Sequence, residues 1–228
     1  SSGSTAVPIA QTAITGLLML ARGFPRWLRA QRERRWDPAR TPDFPRDLVG
    51  QTVLVYGLGS IGSEFARLAR VLGMKVIGVR RSALKPGDPV DELHPPQALM
   101  QLLPRADWLV IASPLTAETR GLINAEVLAG LPRGARLINI GRGEIVDETA
   151  LAAALQSGQL GGAYLDVFAQ EPLAENSPLW TLPNVLISPH NSAAASGNDE
   201  RVYRMFLDNL RRWQQKQALT NEVSATTP

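Results

Sequence analysis

The apolar positions of this chain follow two periods in succession. Over residues 7–35 they recur at helical spacing and run into an arginine-rich end, which predicts one helix. The stretch RWDPARTPDFPRDL, 35–48, is punctuated by prolines and reads as a linker. Beyond it, short β-branched apolar runs alternate with helical patterns. Strands are predicted at 51–57 (QTVLVYG), 74–79, 106–113, 135–140, 161–168 and 184–190, and helices at 60–73, 96–103, 124–130, 147–158 and 198–216. Strands that are apolar along their whole length, separated by helices, imply a parallel sheet covered on both faces. The expected class is therefore α/β with a doubly wound sheet, whose ligand sits beyond the carboxyl ends of the strands.

Composition narrows the chemistry. The 228 residues are 44% hydrophobic, enough for one substantial core. No Cys is present, which excludes disulfides, thiolate catalysis and Cys-based zinc sites and fits a reducing, cytoplasmic setting. Two His and no HExxH-like cluster give no reason to expect a metal. The most lipid-like run, AITGLLMLA at 13–21, is too short to span a bilayer and no basic residues precede it, so a buried helix is expected and no membrane partner. Residues 22–46 hold eight Arg against three acids (Glu33, Asp37 and Asp43), a net +5; the whole chain carries +3, so the remainder carries −2. No aromatic interleaving or known reading motif accompanies this basic stretch, and nucleic acid is not expected as a partner.

Candidate chemistry begins after the first predicted strand. Gly57-Leu58-Gly59-Ser60-Ile61-Gly62 is a GxGxxG segment lying between a strand and a helix, the context that a dinucleotide-binding turn requires. Gly57 allows the tight turn, Gly59 lets backbone approach a pyrophosphate, and Gly62 lets helix and sheet pack closely. The amino terminus of the following helix offers N–H groups and a positive dipole end to phosphate. The next strand, VIGVRRSA at 76–83, has no acid where a ribose 2′-hydroxyl would be held. It ends in Arg80, Arg81 and Ser82, and two guanidiniums with a hydroxyl suit a 2′-phosphate. NADPH is therefore expected in preference to NADH. Three further residues follow predicted strand ends: Arg142 in NIGRGEIVD, Glu171 in DVFAQEP and His190 in SPHNSA. Adjacent parallel strands would bring them to one crevice. His94, in ELHPPQ, is expected in a loop rather than in catalysis.

These segments resemble the D-isomer-specific 2-hydroxyacid dehydrogenases. GLGSIG, ASPLTAETRGLIN, GARLINIGRGEIVDETALAAAL, GGAYLDVFAQEP and VLISPHNSAA occur in family order, and the likeness runs from about Ala6 to the end. The resemblance implies a Rossmann domain over 48–190, an interdomain helix and linker over 1–47, and a C-terminal segment, 191–228, whose helix returns to a substrate-side domain. It implies that Arg142 binds the carboxylate of a small 2-oxo acid and polarises its carbonyl. His190 would be the acid–base, and Glu171 would hydrogen-bond it and favour its protonated form. Asp166 would hold the nicotinamide carboxamide, and Ser113, Pro114, Thr119 and Ile140 would line the cofactor channel. Glu171 before Pro172 argues against a formate-dehydrogenase-like member, where Gln is expected.

The expected activity is NADPH-dependent reduction of a glyoxylate- or hydroxypyruvate-like acid, by a homodimer. The alternatives are a dinucleotide-sensing interaction protein of the corepressor type and a phosphoglycerate- or phosphite-dehydrogenase-like variant. The family has a folded segment ahead of the point where this chain starts, so the chain is expected to be a fragment that binds cofactor and turns over 2-oxo acids poorly or not at all.

Overall fold

A computed structural model describes residues 3–40 and 44–220. Positions 41–43 of the proline-rich linker and 221–228 of the C-terminal segment lie outside the described residues.

Seven parallel strands form one sheet: β1 (Thr52–Tyr56), β2 (Lys75–Val79), β3 (Glu92–His94), β4 (Trp108–Ile111), β5 (Ala135–Asn139), β6 (Leu160–Leu165) and β7 (Val185–Ile187). Their order is β3-β2-β1-β4-β5-β6-β7. The chain leaves β1 in one direction to β2 and returns to the other side at β4, so the crevice of a doubly wound fold opens between these two strands. The register is regular there, Tyr56 pairing with Val79 on one side and Ile111 on the other. Consecutive side chains of a strand point to opposite faces, and both faces are covered. Val53, Val55, Trp108, Val110 and Ile138 join Leu17 of α1 (Ala6–Ala21) and Phe65 of α3 (Ser60–Val71) in one core. Leu54, Ile77, Leu109 and Leu137 join Leu99 of α4 (Leu99–Leu102), Leu128 of α5 (Ala125–Gly130) and Leu151 of α6 (Glu148–Gln156) in the other.

The first predicted helix is two helices. α1 stops at Ala21, and α2 (Phe24–Arg32) starts after Gly23, whose φ of +75° lies in the left-handed region. Pro25 in the first turn of α2 has no N–H with which to continue α1, so the axis bends, by 75°. No single helix among the described residues is long and apolar enough to cross a membrane. β3 is a strand that hydrophobic pattern did not predict. It has three residues, and parallel pairing with β2 at Ile77–Glu92 and Val79–His94 defines it. His94 is thus in an edge strand, not a loop. The helix predicted at 96–103 is one α turn, α4, between two 3-10 turns, a shortness imposed by Pro95, Pro96 and Pro104. The last helix, α7 (Asn198–Gln214), is tied to the start of the chain by Arg201, whose Nε donates to the Ser4 carbonyl at 2.8 Å.

Candidate active site at the carboxyl edge of the sheet

The turn after β1 is built as the glycine spacing requires. Gly57 has φ +101°, and a Cβ there would stand 2.6 Å from the Ser113 backbone nitrogen. A Cβ at Gly62, inside α3, would overlap the Gly57 carbonyl oxygen. Gly59 differs: no protein atom lies within 4 Å of the place its Cβ would take. It is the cap residue of α3, and no side chain caps that helix end. The first N–H groups of α3 are thus left for an outside acceptor.

A cavity of about 630 Å³ opens over this turn, lined by Gly57, Leu58 and Gly59, by Arg81 and Ser82 after β2, and by Ser113, Pro114 and Thr119 after β4. The Ser113 hydroxyl is buried without a hydrogen-bond partner among the described residues, which leaves a donor for a ligand there. The Thr119 hydroxyl is occupied at home, accepting from the Thr116 N–H (2.8 Å) and donating to the Pro114 carbonyl (2.9 Å), and so shapes the wall. An open glycine, an uncapped helix end and an orphan hydroxyl on one cavity fit a dinucleotide. Tyr56, Gln97 and Glu118 also line it, and no motif announced them. Burial pushes the Tyr56 phenol up, as does Glu118, while Arg81 pulls it down, so these three charges and dipoles share one corner.

The two arginines after β2 behave differently. Arg80 lines the cavity, but its Nη1 donates to Asp88 at 2.9 Å and its Nε to the Ser82 carbonyl at 3.1 Å; its Nη2 reaches Asp88 and the Ala83 carbonyl. Its side chain is 12% exposed. Arg80 is expected, with Arg81 and Ser82, at a 2′-phosphate. Its guanidinium is already engaged as the internal brace of loop 80–88. Arg81 is exposed and makes no hydrogen bond or ion pair among the described residues. Ser60 is exposed at the start of α3, and Ile61 packs against the core. Ile140, expected in the channel, is 5% exposed and sits in the core cluster; its N–H continues the β4–β5 ladder by donating to the Ile111 carbonyl.

The acid–base residues lie farther along the same edge, beyond β5, β6 and β7. Arg142 is held in an extended conformation by Asn139 at the end of β5. The Asn139 amide donates to the Arg142 carbonyl and accepts from the Gly141 N–H, both at 3.1 Å. Gly141 backs onto the Ser113 carbonyl and Gly143 onto the Phe168 backbone, where a Cβ would overlap it. The Arg142 loop is therefore wedged between the loops after β4 and β6, leaving its guanidinium exposed with one bond, to the Gly141 carbonyl at 2.7 Å. Asn139, 1% exposed, holds the loop that carries Arg142, and sequence reasoning missed it; its place two residues ahead of Gly141 was the only signal.

Glu171 and His190 meet directly. His190 Nδ1 lies 2.7 Å from Glu171 Oε2, and the other carboxylate oxygen accepts from the Phe168 N–H at 2.9 Å. Burial raises the Glu171 carboxyl, but the hydrogen bonds from His190 and Phe168 and the charges of His190 and Arg142 together hold it below its ordinary value. Arg142, Glu171 and His190 thus share one electrostatic neighbourhood. None of the three lines the cavity over the glycine turn. Asp166 is 2% exposed, and its carboxylate accepts from the loop 188–192 rather than facing the cavity. His94 pairs with Glu92 at 3.0 Å, away from the triad. Among the described residues no group of three His, Asp or Glu could hold a metal ion.

Comparison with known proteins gives the same picture. Residues 14–192 match the family model described as D-isomer specific 2-hydroxyacid dehydrogenase, NAD binding domain. A (S)-sulfolactate dehydrogenase from Chromohalobacter salexigens is 36% identical over 217 residues, spanning 93% of this chain and 68% of that protein. A D-isomer specific 2-hydroxyacid dehydrogenase from Xanthobacter autotrophicus, solved with NADPH and MES, superposes with a TM-score of 0.83 at 38% identity, over 98% of this chain and 90% of that one. An NADPH-dependent glyoxylate/hydroxypyruvate reductase from Sinorhizobium meliloti, solved with NADP and sulfate, gives 0.83 at 30% identity, over 98% and 70%. With the family model matching residues 14–192 and a relative 36% identical over 93% of this chain, the chain belongs to the D-isomer-specific 2-hydroxyacid dehydrogenases, a family of NAD(P)-dependent oxidoreductases.

Proposed function

We propose that this chain carries the cofactor site and the acid–base pair of an NADP-dependent reductase of small 2-oxo acids, of the glyoxylate and hydroxypyruvate type. The observation that carries the reading is the 2.7 Å contact between His190 and Glu171 in the electrostatic reach of Arg142. A carboxylate on Nδ1 fixes the imidazole orientation, leaving Nε2 as the proton donor to a carbonyl oxygen. Arg142 presents a planar fork that matches the carboxylate of a 2-oxo acid. A nicotinamide, when bound, supplies the hydride. The α3 terminus, Gly59 and the Ser113 hydroxyl would hold its pyrophosphate side, and Arg81 with Ser82 the 2′-phosphate. The reductase relative solved with NADP supports the cofactor choice.

The test is oxidation of NADPH and of NADH on adding glyoxylate or hydroxypyruvate to the intact enzyme, with the family's amino-terminal segment in place. Faster turnover with NADPH is expected, and its loss is expected in His190→Gln with NADPH affinity within a few-fold of the parent. Bound NADPH without turnover of any small 2-oxo acid would overturn the reading. In the same proposal the protein is a homodimer through the face of α2 that exposes Phe24, Trp27 and Leu28, which sedimentation of a Trp27→Glu variant would test.

A further inference from the structure

The loop that carries His190 is held by a hydrogen-bond chain that starts on β6 and that the proposed reaction does not use. Ser188 Oγ donates to Asp166 Oδ1 at 2.5 Å. A serine hydroxyl has one proton, so the 2.7 Å contact between Tyr164 and Ser188 must be a donation from the tyrosine. The direction is fixed: Tyr164 O–H to Ser188 O–H to the Asp166 carboxylate. Burial first of all, with the nearby Asp166 charge, pushes the Tyr164 phenol up to about 12, so it remains a donor at neutral pH. The carboxylate then collects the far side of the loop. Its Oδ1 accepts from the N–H groups of Asn191 (3.0 Å) and Ser192 (3.1 Å), and its Oδ2 from the Ser192 hydroxyl. The His190 N–H donates to the Asp166 carbonyl at 2.8 Å. Residues 188–192 are thus wrapped on one aspartate, with His190 at φ +49°, a conformation that a non-glycine residue keeps only when its surroundings impose it.

The tyrosine is braced from behind. Gly16 of α1 faces its ring so closely that a Cβ there would stand 2.5 Å from the ring carbon that joins the side chain. The same helix reaches the loop a second time, where the Thr12 hydroxyl stands 3.2 Å from the Ser192 carbonyl. Helix α1 therefore touches both the root and the end of the loop that aims the histidine.

We propose that Tyr164 and Ser188 are positioning residues for His190, and that α1, through Gly16 and Thr12, sets where the imidazole points. Tyr164 does not line the cavity over the glycine turn; it acts through Ser188 and Asp166. The inference rests on the proposed acid–base role of His190 for its consequence in turnover, and on the loop geometry alone for its consequence in structure. Linked donors of this kind strengthen one another, so removing the first weakens the hold of the last.

The chain has two histidines, so the imidazole signals of histidine-labelled protein separate into His94 and His190, assigned by His94→Gln. In Tyr164→Phe the ring on Gly16 is kept and one hydroxyl is lost. The His190 ring signals should move towards those of a free imidazole, the His94 signals should stay, and NADPH affinity should hold within about two-fold. Turnover should fall about tenfold, the loss of one such hydrogen bond, with KM for the cofactor unchanged. Ser188→Ala should repeat this, and Ser188→Thr, which keeps a hydroxyl, should restore both readouts. If Ser188→Ala unfolds the protein, the comparison of Tyr164→Phe with Ser188→Thr still decides. His190 signals unmoved in Tyr164→Phe, or rescue failing in a folded Ser188→Thr, would overturn the positioning role. Moved signals in a protein that turns over no 2-oxo acid would leave the positioning role standing and remove the proposed function.

Discussion

His190 and Glu171, nineteen positions apart in the chain, share a hydrogen bond of 2.7 Å between Nδ1 and Oε2 across the loops after β6 and β7. The glutamate carboxyl is held below its ordinary value chiefly against its own burial, by the bonds from His190 and Phe168. The sign of the linkage follows. A carboxylate whose folded value is depressed contributes stability that is complete above the usual glutamate range and is lost as pH falls through the depressed value. Glu171→Gln keeps an acceptor on Nδ1 and removes the titrating carboxylate, so the parent should be the more stable at neutral pH and that advantage should shrink as pH falls through the depressed glutamate value. Thermal unfolding of parent and variant from neutral to acid pH checks this. A difference in melting temperature that stays constant with pH would mean that Glu171 contributes by its hydrogen bonds alone and not by its depressed carboxyl.

Arg81 and Arg80 should separate on mutation. Arg81 is free to face a 2′-phosphate, whereas Arg80 is engaged by Asp88 and by the carbonyls of Ser82 and Ala83. Arg81→Ala should weaken NADPH about 10- to 100-fold, the worth of a charge-assisted hydrogen bond or two, and leave NADH within about two-fold. Arg80→Ala should strip loop 80–88 of its brace, lower the melting temperature, and weaken both cofactors alike. Titration of each variant with both dinucleotides decides, and equal loss of NADPH and NADH in Arg81→Ala would refute the 2′-phosphate assignment.

Gly59 and Gly62 belong to one fingerprint and should fail in different ways. A Cβ at Gly62 overlaps the Gly57 carbonyl oxygen, backbone that cannot move without parting α3 from β1. Gly62→Ala should therefore destabilise the fold by about 2–4 kcal/mol, in the range of overpacked cores. A Cβ at Gly59 meets nothing in the protein. Gly59→Ala should change stability by less than about 1 kcal/mol, a cap effect, while weakening the dinucleotide at least tenfold because the methyl stands where phosphate approaches. Thermal unfolding and a cofactor titration, run on both variants, give the two-by-two pattern.

Much of the site was legible before the fold was known, and the reason is local. The Gly57, Gly59 and Gly62 spacing sits between an apolar strand and a helix, so sequence neighbours alone define the turn. Arg142, Glu171 and His190 each follow a strand, and a parallel sheet puts all such ends on one edge. What stayed hidden depends on contacts between distant segments. Arg80 looked like a second phosphate ligand because its partner, Asp88, lies eight residues on in a turn rich in Gly and Pro. Ile140 looked like a channel residue because a strand end gives no sign of which way its last side chain turns. Edge strand β3 carries no apolar run, and pairing with β2 is all that makes it a strand. The break between α1 and α2 was written in Gly23 and Pro25, but the helical spacing on both sides masked it. The Tyr164–Ser188 contact needs the pairing of β6 with β7, which no local pattern encodes.

Ser113 offers a test of the cavity that does not depend on catalysis. It lies where a Cβ on Gly57 would strike its backbone nitrogen and a Cβ on Gly141 its carbonyl oxygen, so it is pinned between the cofactor turn and the Arg142 loop. Its hydroxyl is buried with no partner among the described residues. An unsatisfied buried hydroxyl costs about 1–3 kcal/mol, so Ser113→Ala should leave the ligand-free protein as stable as the parent or more so. With NADPH present the order should reverse, because the parent gains a hydrogen bond that the variant cannot make. The rise in melting temperature on adding saturating NADPH should thus be smaller in the variant, although its starting temperature is no lower. A ligand-free melting temperature several degrees below the parent would show that the hydroxyl already has its partner inside the protein, and the cavity would lose the feature that marks it as built for a ligand.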